Sequence, residues 1–251
     1  MIKPPFNRQG NKYPIIDKLL RFIQPHHIYV EPFLGSGVLF FNKTKAKYNV
    51  LNDLDKYTID GFRLLKLGSS NPNDYERDFS SIQKLKNLYN REPLTIEDAI
   101  LKHKLISKGS FNGRTIKKAD DIYIQSNPSS TFKNIAIYQD KLKNTTLLNR
   151  DYSFILKKYD SPDTFFFLDP PYEKTDKTFG YAQDTDFDYI KFYNAIQNIK
   201  GYFLITINDS PFIRKLFKDF NIVKISVPSK WSNAKVKNRK ELLIMNYKLH
   251  K

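Results

Sequence analysis

The feature that most constrains the fold is a glycine-containing turn that joins a short apolar strand to an apolar helix. The predicted strand is Ile28-Tyr29-Val30, the turn at residues 31–37 reads Glu-Pro-Phe-Leu-Gly-Ser-Gly, and the helix begins at Val38. A second predicted strand, Asn49-Val50-Leu51, ends at Asn52-Asp53. A strand, turn, helix and strand in this order open a parallel, doubly wound sheet, so we predict an α/β fold.

The middle of the chain has a different pattern from the two ends. Residues 56–145 are charged and mostly helical in pattern, with breaks at 68–72 and 127–130, and they lack a strand of the buried parallel kind. We predict that residues 56–145 form an inserted helical subdomain, and that 1–55 and 146–251 form one sheet-containing domain. The predicted strands after the insertion are 164–168, 202–207, 223–227 and 241–247, and the first two are continuously apolar, as central parallel strands tend to be.

Composition and charge exclude several classes of protein. The 251 residues include no cysteine, which excludes a disulfide scaffold and a zinc–cysteine module. The 42 Lys and Arg residues exceed the 26 Asp and Glu residues, and the formal net charge of +16 favours a nucleic-acid partner. The four histidines lack ligand spacing, so we expect no metal. No apolar run approaches the roughly 20 residues that cross a bilayer, and the N-terminus lacks a signal-peptide core, so we expect a soluble, intracellular protein without a membrane partner.

The most specific motif is Asp169-Pro170-Pro171-Tyr172, which directly follows an apolar strand. Ligands of open α/β sheets bind at the carboxyl ends of the strands, so a carboxylate at this place faces the substrate. The two prolines remove N–H groups and hold rigid carbonyl acceptors. Asp169 and the Pro170 carbonyl can each accept one hydrogen of an exocyclic amino group, while the Tyr172 ring can stack on a planar base. We predict that these four residues are catalytic; the alternative is a proline turn that closes a strand.

The glycine turn predicts a second site. Gly35 and Gly37 allow a ligand to approach the backbone, and the helix N-terminus behind them favours an anionic group. Phe40 stands in place of the third glycine of the dinucleotide fingerprint, which disfavours NAD. Asp53 is placed like the acid that hydrogen-bonds ribose hydroxyls in nucleoside-binding sheets. The alternatives are a simple tight turn at the glycines and, for Asp53 alone, a turn residue; the glycine turn before Asp53 favours the binding role.

Taken together, these motifs resemble those of the Dam-type, alpha-class N6-adenine DNA methyltransferases. The resemblance covers most of the chain. It implies a Rossmann-like sheet that uses S-adenosylmethionine as methyl donor, an inserted, mainly helical DNA-recognition subdomain, and transfer to N6 of a flipped adenine in a short duplex sequence. The segments that carry it are 10–14 (Gly-Asn-Lys-Tyr-Pro), 30–37, Asp53, 149–152 (Asn-Arg-Asp-Tyr) and 169–172.

The resemblance also implies roles for individual cofactor-binding residues. Asp53 would hold the ribose, Asp151 would take the cofactor's adenine amino group, and Tyr152 would pack near that ring. Asp169 would touch both the methionine end and the target. The remaining implied contacts are Arg8 and Lys12 from the N-terminal motif, with Phe33, Gly35 and Gly37 lining the cofactor. Arg8 departs from the family pattern, which usually has an aromatic residue there, and Asn11 replaces a glycine.

Two acid-free basic clusters predict contacts with the DNA backbone. One lies in residues 100–119, and the other surrounds Trp231 in residues 230–240. A basic cluster is often a solvated face, but two of them in so basic a chain favour contacts with phosphates. Asn112 suits adenine and Arg114 suits guanine, so we nominate them for base contacts. The predicted DNA-binding residues are Lys108, Asn112, Arg114, Lys117, Lys118, Lys235, Lys237 and Arg239.

The sequence leaves two other functions open: a methyltransferase that acts on an RNA base or a protein amide, and a nucleic-acid-binding module without activity. Asp instead of Asn at position 169 and the order of the motifs favour DNA, while the intact Gly35, Gly37, Asp53 and Asp169 disfavour the inactive module. The expected partner is double-stranded DNA, bound by a monomer or weak dimer. The recognition sequence stays open, as does the existence of a cognate restriction endonuclease that acts separately.

Overall fold

A computed structural model describes residues 1–6, 10–67, 135–173, 187–229 and 237–249. Across these residues, seven strands form one sheet. The strands are β1 (Ile28–Glu31), β2 (Tyr48–Asn52), β3 (Thr145–Leu148), β4 (Thr164–Leu168), β5 (Tyr202–Asn208), β6 (Asn221–Ser229) and β7 (Lys237–Met245). The helices are a 3₁₀ turn (Tyr13–Ile15), α1 (Ile16–Leu20), α2 (Val38–Asn42), α3 (Lys56–Leu67), α4 (Ile135–Leu142), α5 (Tyr152–Tyr159), α6 (Tyr189–Ile196) and α7 (Pro211–Leu216).

The strand order is β3-β2-β1-β4-β5-β7-β6. Strands β1 to β5 pair in parallel, whereas β7 is antiparallel to both β5 and β6. The order therefore reverses between β1 and β4, and open α/β sheets bind their ligands at the carboxyl ends of the strands beside such a reversal. This arrangement confirms the predicted doubly wound α/β fold.

The sheet is buried on both faces because its central strands are mostly apolar. Phe165 and Phe167 of β4 pack into one core, and Phe166 and Leu168 pack into the other. Successive side chains of a strand point to opposite faces, so this run supplies both cores. Helices α2, α3 and α4 cover the first face, and α5, α6 and α7 cover the second.

The structure adds one strand that the sequence analysis did not predict. Strand β3 lies at the edge of the sheet, and only Thr145 of its four residues is buried. Such a short, partly exposed edge strand carries little apolar signal. Strand β7 also begins earlier than predicted, at Lys237, because pairing with β6 continues through the charged residues 237–240.

Both ends of the predicted insertion pack on the sheet. Phe62 of α3 and Tyr138 of α4 are fully buried in the first core, although both lie within residues 56–145. Residues 68–134 lie outside the described part of the chain, so the inserted recognition subdomain stays a prediction. Among the helices that the structure describes, none is long and apolar enough to cross a bilayer.

Candidate functional site

Asp169 follows β4 directly, beside the point where the strand order reverses. Its Oδ2 accepts a hydrogen bond from Lys12 Nζ at 2.7 Å, and its Oδ1 accepts one from Thr206 Oγ1 at 2.7 Å. The Lys12 side chain is buried, whereas 22% of the Asp169 side chain is exposed. An ionised carboxylate has about four acceptor sites. Asp169 is thus fixed in position and still has acceptor sites that a substrate amino group can use.

The loop after Asp169 is anchored from two sides. The Tyr189 hydroxyl donates to the Pro171 carbonyl at 2.7 Å. The Asn208 side chain accepts from the Glu173 N–H at 2.9 Å and donates to the Glu173 carbonyl at 3.1 Å. No donor among the described residues pairs with the carbonyl of Pro170, a buried residue, and its role as the second acceptor of the predicted clamp stays a prediction.

Tyr172 points its hydroxyl into the protein. Lys12 Nζ lies 4.9 Å from the centre of the Tyr172 ring, a cation–π contact. Burial, with Asp169 and Glu241 nearby, raises the Tyr172 pKa well above its usual value, so the hydroxyl stays protonated. One face of the Tyr172 ring thus contacts an ammonium group. The predicted stacking of Tyr172 on a base stays a prediction.

The glycine turn holds two left-handed residues. Gly35 has φ +52° and Gly37 has φ +66°, a region that side chains rarely adopt. The Gly35 N–H donates to Asp53 Oδ2 at 2.8 Å, so the turn and the end of β2 are joined by the predicted ribose-binding carboxylate. A Cβ added to Gly35 would meet no atom within 4 Å, whereas one at Gly37 would lie 3.2 Å from Leu34 and Phe41. Gly35 thus borders open space, and Gly37 borders the core.

A buried asparagine that the sequence analysis missed connects the turns after β1, β2 and β3. Asn52 Nδ2 donates to the carbonyls of Pro32 and Arg150, both at 2.9 Å, and its Oδ1 accepts from the Arg150 N–H at 2.9 Å. Asn149 adds a bond from its Nδ2 to the Asp53 carbonyl at 2.8 Å. These bonds fix the three loops at the carboxyl edge of the sheet relative to each other.

The next predicted cofactor residues lie at the start of α5. Asp151 is exposed and caps this helix, since its Oδ1 accepts from the Ser153 N–H at 2.9 Å. The rings of Phe33 and Tyr152 are 5.3 Å apart, and Phe187 lies within 6 Å of both. Phe33, Asp151 and Tyr152 therefore lie around one end of the site. Phe187 gave no signal in the sequence, because only the fold brings it to this cluster.

Most of the predicted DNA-binding residues lie outside the described residues, together with Arg8. Lys237 lies in β7, where the structure describes its backbone alone. Arg239 is partly exposed, and its Nη2 lies 3.9 Å from Glu241 Oε1. These DNA contacts stay predictions. The predicted site residues outside the described part of the chain are Arg8, Lys108, Asn112, Arg114, Lys117, Lys118 and Lys235.

Within the described ranges, no group of three or more His, Cys, Asp or Glu side chains is arranged to hold a metal ion.

Besides Asn52, three polar residues of the site were not predicted from the sequence: Thr206, Asn208 and Glu241. Thr206 and Asn208 interrupt the apolar end of β5 at alternate positions. Polar residues at the carboxyl end of an otherwise apolar strand indicate candidate site residues, so the sequence did contain a signal for Thr206 and Asn208. Glu241 is 2% exposed in β7 and directly precedes the apolar run 242–245.

A buried acid–base cluster lies behind the glycine turn. The Tyr29 hydroxyl donates to the Glu31 carboxylate, and Lys43 Nζ lies 4.0 Å from the centre of the Tyr29 ring. Burial raises the pKa of Glu31 to about 8 and lowers the pKa of Lys43 to about 8. Glu31 therefore binds its proton more tightly in the folded state than in the unfolded chain, and Lys43 binds its proton less tightly.

This cluster predicts a stability that depends on pH. Because the Glu31 pKa is raised by folding, the free energy of unfolding should fall as pH rises from about 5 to about 8. The lowered Lys43 pKa has the opposite effect, a rise of the free energy of unfolding with pH, but only from about pH 8 upward. Glu31→Gln, which cannot titrate, should flatten the decline, as measured by urea unfolding at pH 5, 6, 7 and 8. Exposed Asp17 offers a matched control, Asp17→Asn, and an unchanged slope in Glu31→Gln would contradict the assignment.

In sequence, the chain is similar to known methyltransferases. A family model described as D12 class N6 adenine-specific DNA methyltransferase matches residues 9–121 and 108–229. The Type II methyltransferase M.MjaIII of Methanocaldococcus jannaschii is 26% identical over 266 aligned residues, which cover 87% of this chain and 88% of that protein. The Type II methyltransferase M.CviBI of Paramecium bursaria Chlorella virus NC1A is 24% identical, over 76% of this chain and 77% of that protein. Among solved structures, precorrin 8w decarboxylase of Methanobacterium thermoautotrophicum matches with a TM-score of 0.41 and 10% identity, over 98% of this chain and 96% of that one.

Proposed function

Because this chain belongs to the D12 class of N6 adenine-specific DNA methyltransferases, we propose that it transfers a methyl group from S-adenosylmethionine to N6 of an adenine flipped out of duplex DNA. The observation that carries the proposal is the pair of acceptors at the carboxyl end of β4. The Asp169 carboxylate is held by Lys12 and Thr206, and the Pro170 carbonyl is unpaired among the described residues. Two acceptors on adjacent residues match the two hydrogens of an adenine amino group.

Asp169 and Pro170 make the amino group reactive by orienting it. The lone pair of adenine N6 is delocalised into the ring, so the nitrogen is a poor nucleophile while it stays planar. Hydrogen bonds from its two hydrogens to Asp169 and Pro170 draw it toward tetrahedral geometry. The charge of Asp169 also stabilises the positive charge that develops on N6 in the transition state. Lys12 and Thr206 fix the carboxylate in advance, so that little reorganisation is needed.

The residues around the glycine turn fit S-adenosylmethionine. Open space borders Gly35, and the Asp53 carboxylate lies at the end of the adjacent strand, where a ribose would be held. When bound, this cofactor supplies a methyl group on a positively charged sulfur. Gly35 and Gly37 would line it and Lys12 would contact it, with Asp151 and Tyr152 at its adenine. Arg8 would add a contact from the N-terminal motif.

The proposed DNA partner follows from the family and from the charge of the chain. An adenine inside a duplex cannot enter the clamp, so it must rotate out of the stack at a cost of a few kcal/mol. Contacts between lysine or arginine side chains and phosphates offset this cost. The net charge of +16 and the two basic clusters at 100–119 and 230–240 support such contacts. The Type II names of the two relatives support action at one short sequence.

A labelling experiment tests the proposed function. Purified protein is incubated with methyl-labelled S-adenosylmethionine and unmethylated duplex DNA, and the DNA is then digested to nucleosides. We expect label in N6-methyldeoxyadenosine, and sequencing of the modified DNA should place it at one short sequence. Structured RNA and an unrelated protein serve as competing acceptors. Label found in RNA, in protein or in another base would overturn the proposal, and an absence of label from all acceptors would favour the inactive binding module.

A further inference from the structure

Glu241 is a buried carboxylate that reaches the catalytic edge of the sheet from the antiparallel strand. It lies opposite Asn208 of β5 on one side and Ile225 of β6 on the other. Because β7 runs antiparallel to β5, the first half of β7 lies beside the carboxyl end of β5, at the edge where Asp169 lies. Glu241 is only 2% exposed. A buried carboxylate is costly unless charged or polar partners compensate for lost hydration.

Three of the groups around Glu241 belong to the predicted site: Asp169 and Tyr172 of the loop after β4, and Lys12, which bonds to Asp169. The titratable and charged groups that face it are Tyr172, Lys12, Asp169 and Arg239. Lys12 bonds directly to Asp169 and lies against the Tyr172 ring, and its positive charge also acts on Glu241. The Tyr172 hydroxyl and Glu241 Oε2 are both buried, and neither makes a hydrogen bond among the described residues.

Two buried polar atoms that face each other without a hydrogen bond favour closer contact. Each unsatisfied buried group carries a desolvation cost, and a hydrogen bond between the loop and β7 would satisfy both atoms. Glu241 also competes with Asp169 for the ammonium group of Lys12. If Glu241 were neutral, Lys12 would interact with Asp169 alone and weaken that carboxylate as an acceptor for the substrate amino group.

We propose that Glu241 is a positioning residue for the methyl transfer: its carboxylate binds the Tyr172 hydroxyl and shares Lys12 with Asp169, which sets the loop and the acceptor strength of Asp169. The inference rests on the proposed function for its chemistry, but the geometry of the loop can be tested without turnover. Burial raises the pKa of Glu241. As pH falls, Glu241 therefore takes up a proton at a higher pH than an exposed glutamate does, and the transfer rate should fall with it.

The test compares Glu241→Gln with the wild type in single-turnover methyl transfer on a duplex that contains the mapped site. We expect the transfer rate constant to fall about 10-fold, the equivalent of one hydrogen bond in the transition state. The affinities for S-adenosylmethionine and DNA should stay within about twofold of wild type. The transfer rate of the wild type should fall as the pH is lowered, and this fall should be smaller in Glu241→Gln. Asp219→Asn, an exposed carboxylate in the turn before β6, is the matched control.

Hydrogen exchange gives the second measurement and uses the folded protein alone. The amides of Tyr172 and Glu173 should exchange faster in Glu241→Gln than in the wild type, while those of β1 and β2 should not change. A wild-type rate, an unchanged pH profile or unchanged loop exchange in this variant would overturn the inference. If the wild type methylates DNA and Glu241→Gln does so at the same rate, the positioning role of Glu241 is wrong and the proposed function stands. If the wild type transfers no methyl group to any acceptor, the proposed function fails, and loop exchange still decides the positioning role.

Discussion

Replacing Asp169 by Asn is expected to lower the rate of methyl transfer about 10³-fold while DNA affinity falls far less. The reason is that the negative charge of Asp169 is needed only as positive charge develops on N6. Removing one preorganised electrostatic partner of this kind costs about 10²–10³-fold in turnover, and a full charge lies at the upper end. Asn fits the site well, because its amide oxygen can accept from Lys12 and its amide nitrogen can donate to Thr206. The folded structure around the loop should therefore persist.

The measurement is single-turnover methyl transfer, with DNA affinity from fluorescence anisotropy and stability from thermal unfolding. Asp169→Ala is less informative, since it also removes the hydrogen bonds to the buried Lys12 ammonium and to Thr206 and can destabilise the fold. Asp163→Asn, at an exposed carboxylate just before β4, is the control. If turnover and DNA affinity fell in parallel in Asp169→Asn, Asp169 would be a structural residue and the clamp would be wrong.

Gly35→Leu is expected to weaken S-adenosylmethionine binding about 100-fold with only a modest loss of stability. Any side chain at Gly35 suffers the strain of φ +52°, which is worth about 1–2 kcal/mol. The added Cβ meets no protein atom within 4 Å, so a larger side chain extends into the space that the cofactor would fill. Misfitting bulk of this kind costs about 1–3 kcal/mol, and about 2.7 kcal/mol corresponds to 100-fold in affinity.

Two matched variants separate strain from occupied space. Gly35→Ala carries the same backbone strain with little bulk, so its affinity for the cofactor should fall much less than that of Gly35→Leu. Gly37→Ala should instead lose stability, because its Cβ would lie 3.2 Å from side-chain atoms of Leu34 and Phe41. Isothermal titration with S-adenosylmethionine and thermal unfolding give both quantities. Equal affinities in Gly35→Ala and Gly35→Leu would show that the cofactor does not occupy this space.

The sequence could predict those parts of the site that depend on short stretches of chain. Asp169 follows an apolar strand, Gly35 follows another, and Asp53 ends a third. Each of these placements needs only a local pattern and the rule that parallel strands end at one edge of the sheet. For the same reason the fold class was predictable, because the apolar runs of β4 and β5 and the strand, turn, helix and strand order of residues 28–53 are all local patterns. The edge strand β3 was not, since its four residues carry too little apolar signal.

Which groups meet Asp169 could not be predicted from any local pattern. Lys12 lies 157 positions away along the chain, and Thr206 lies 37 positions away. Their contacts depend on the strand order and on the path of the N-terminal segment, which many pairs of distant residues fix together. The sequence alone therefore determined the fold class and the place of Asp169 at the carboxyl end of an apolar strand, because both follow from local periodicity and chain neighbours. Only the tertiary structure decided that Lys12, Thr206 and Glu241 lie around Asp169, because burial of the apolar faces of the sheet brings these distant polar groups to one edge.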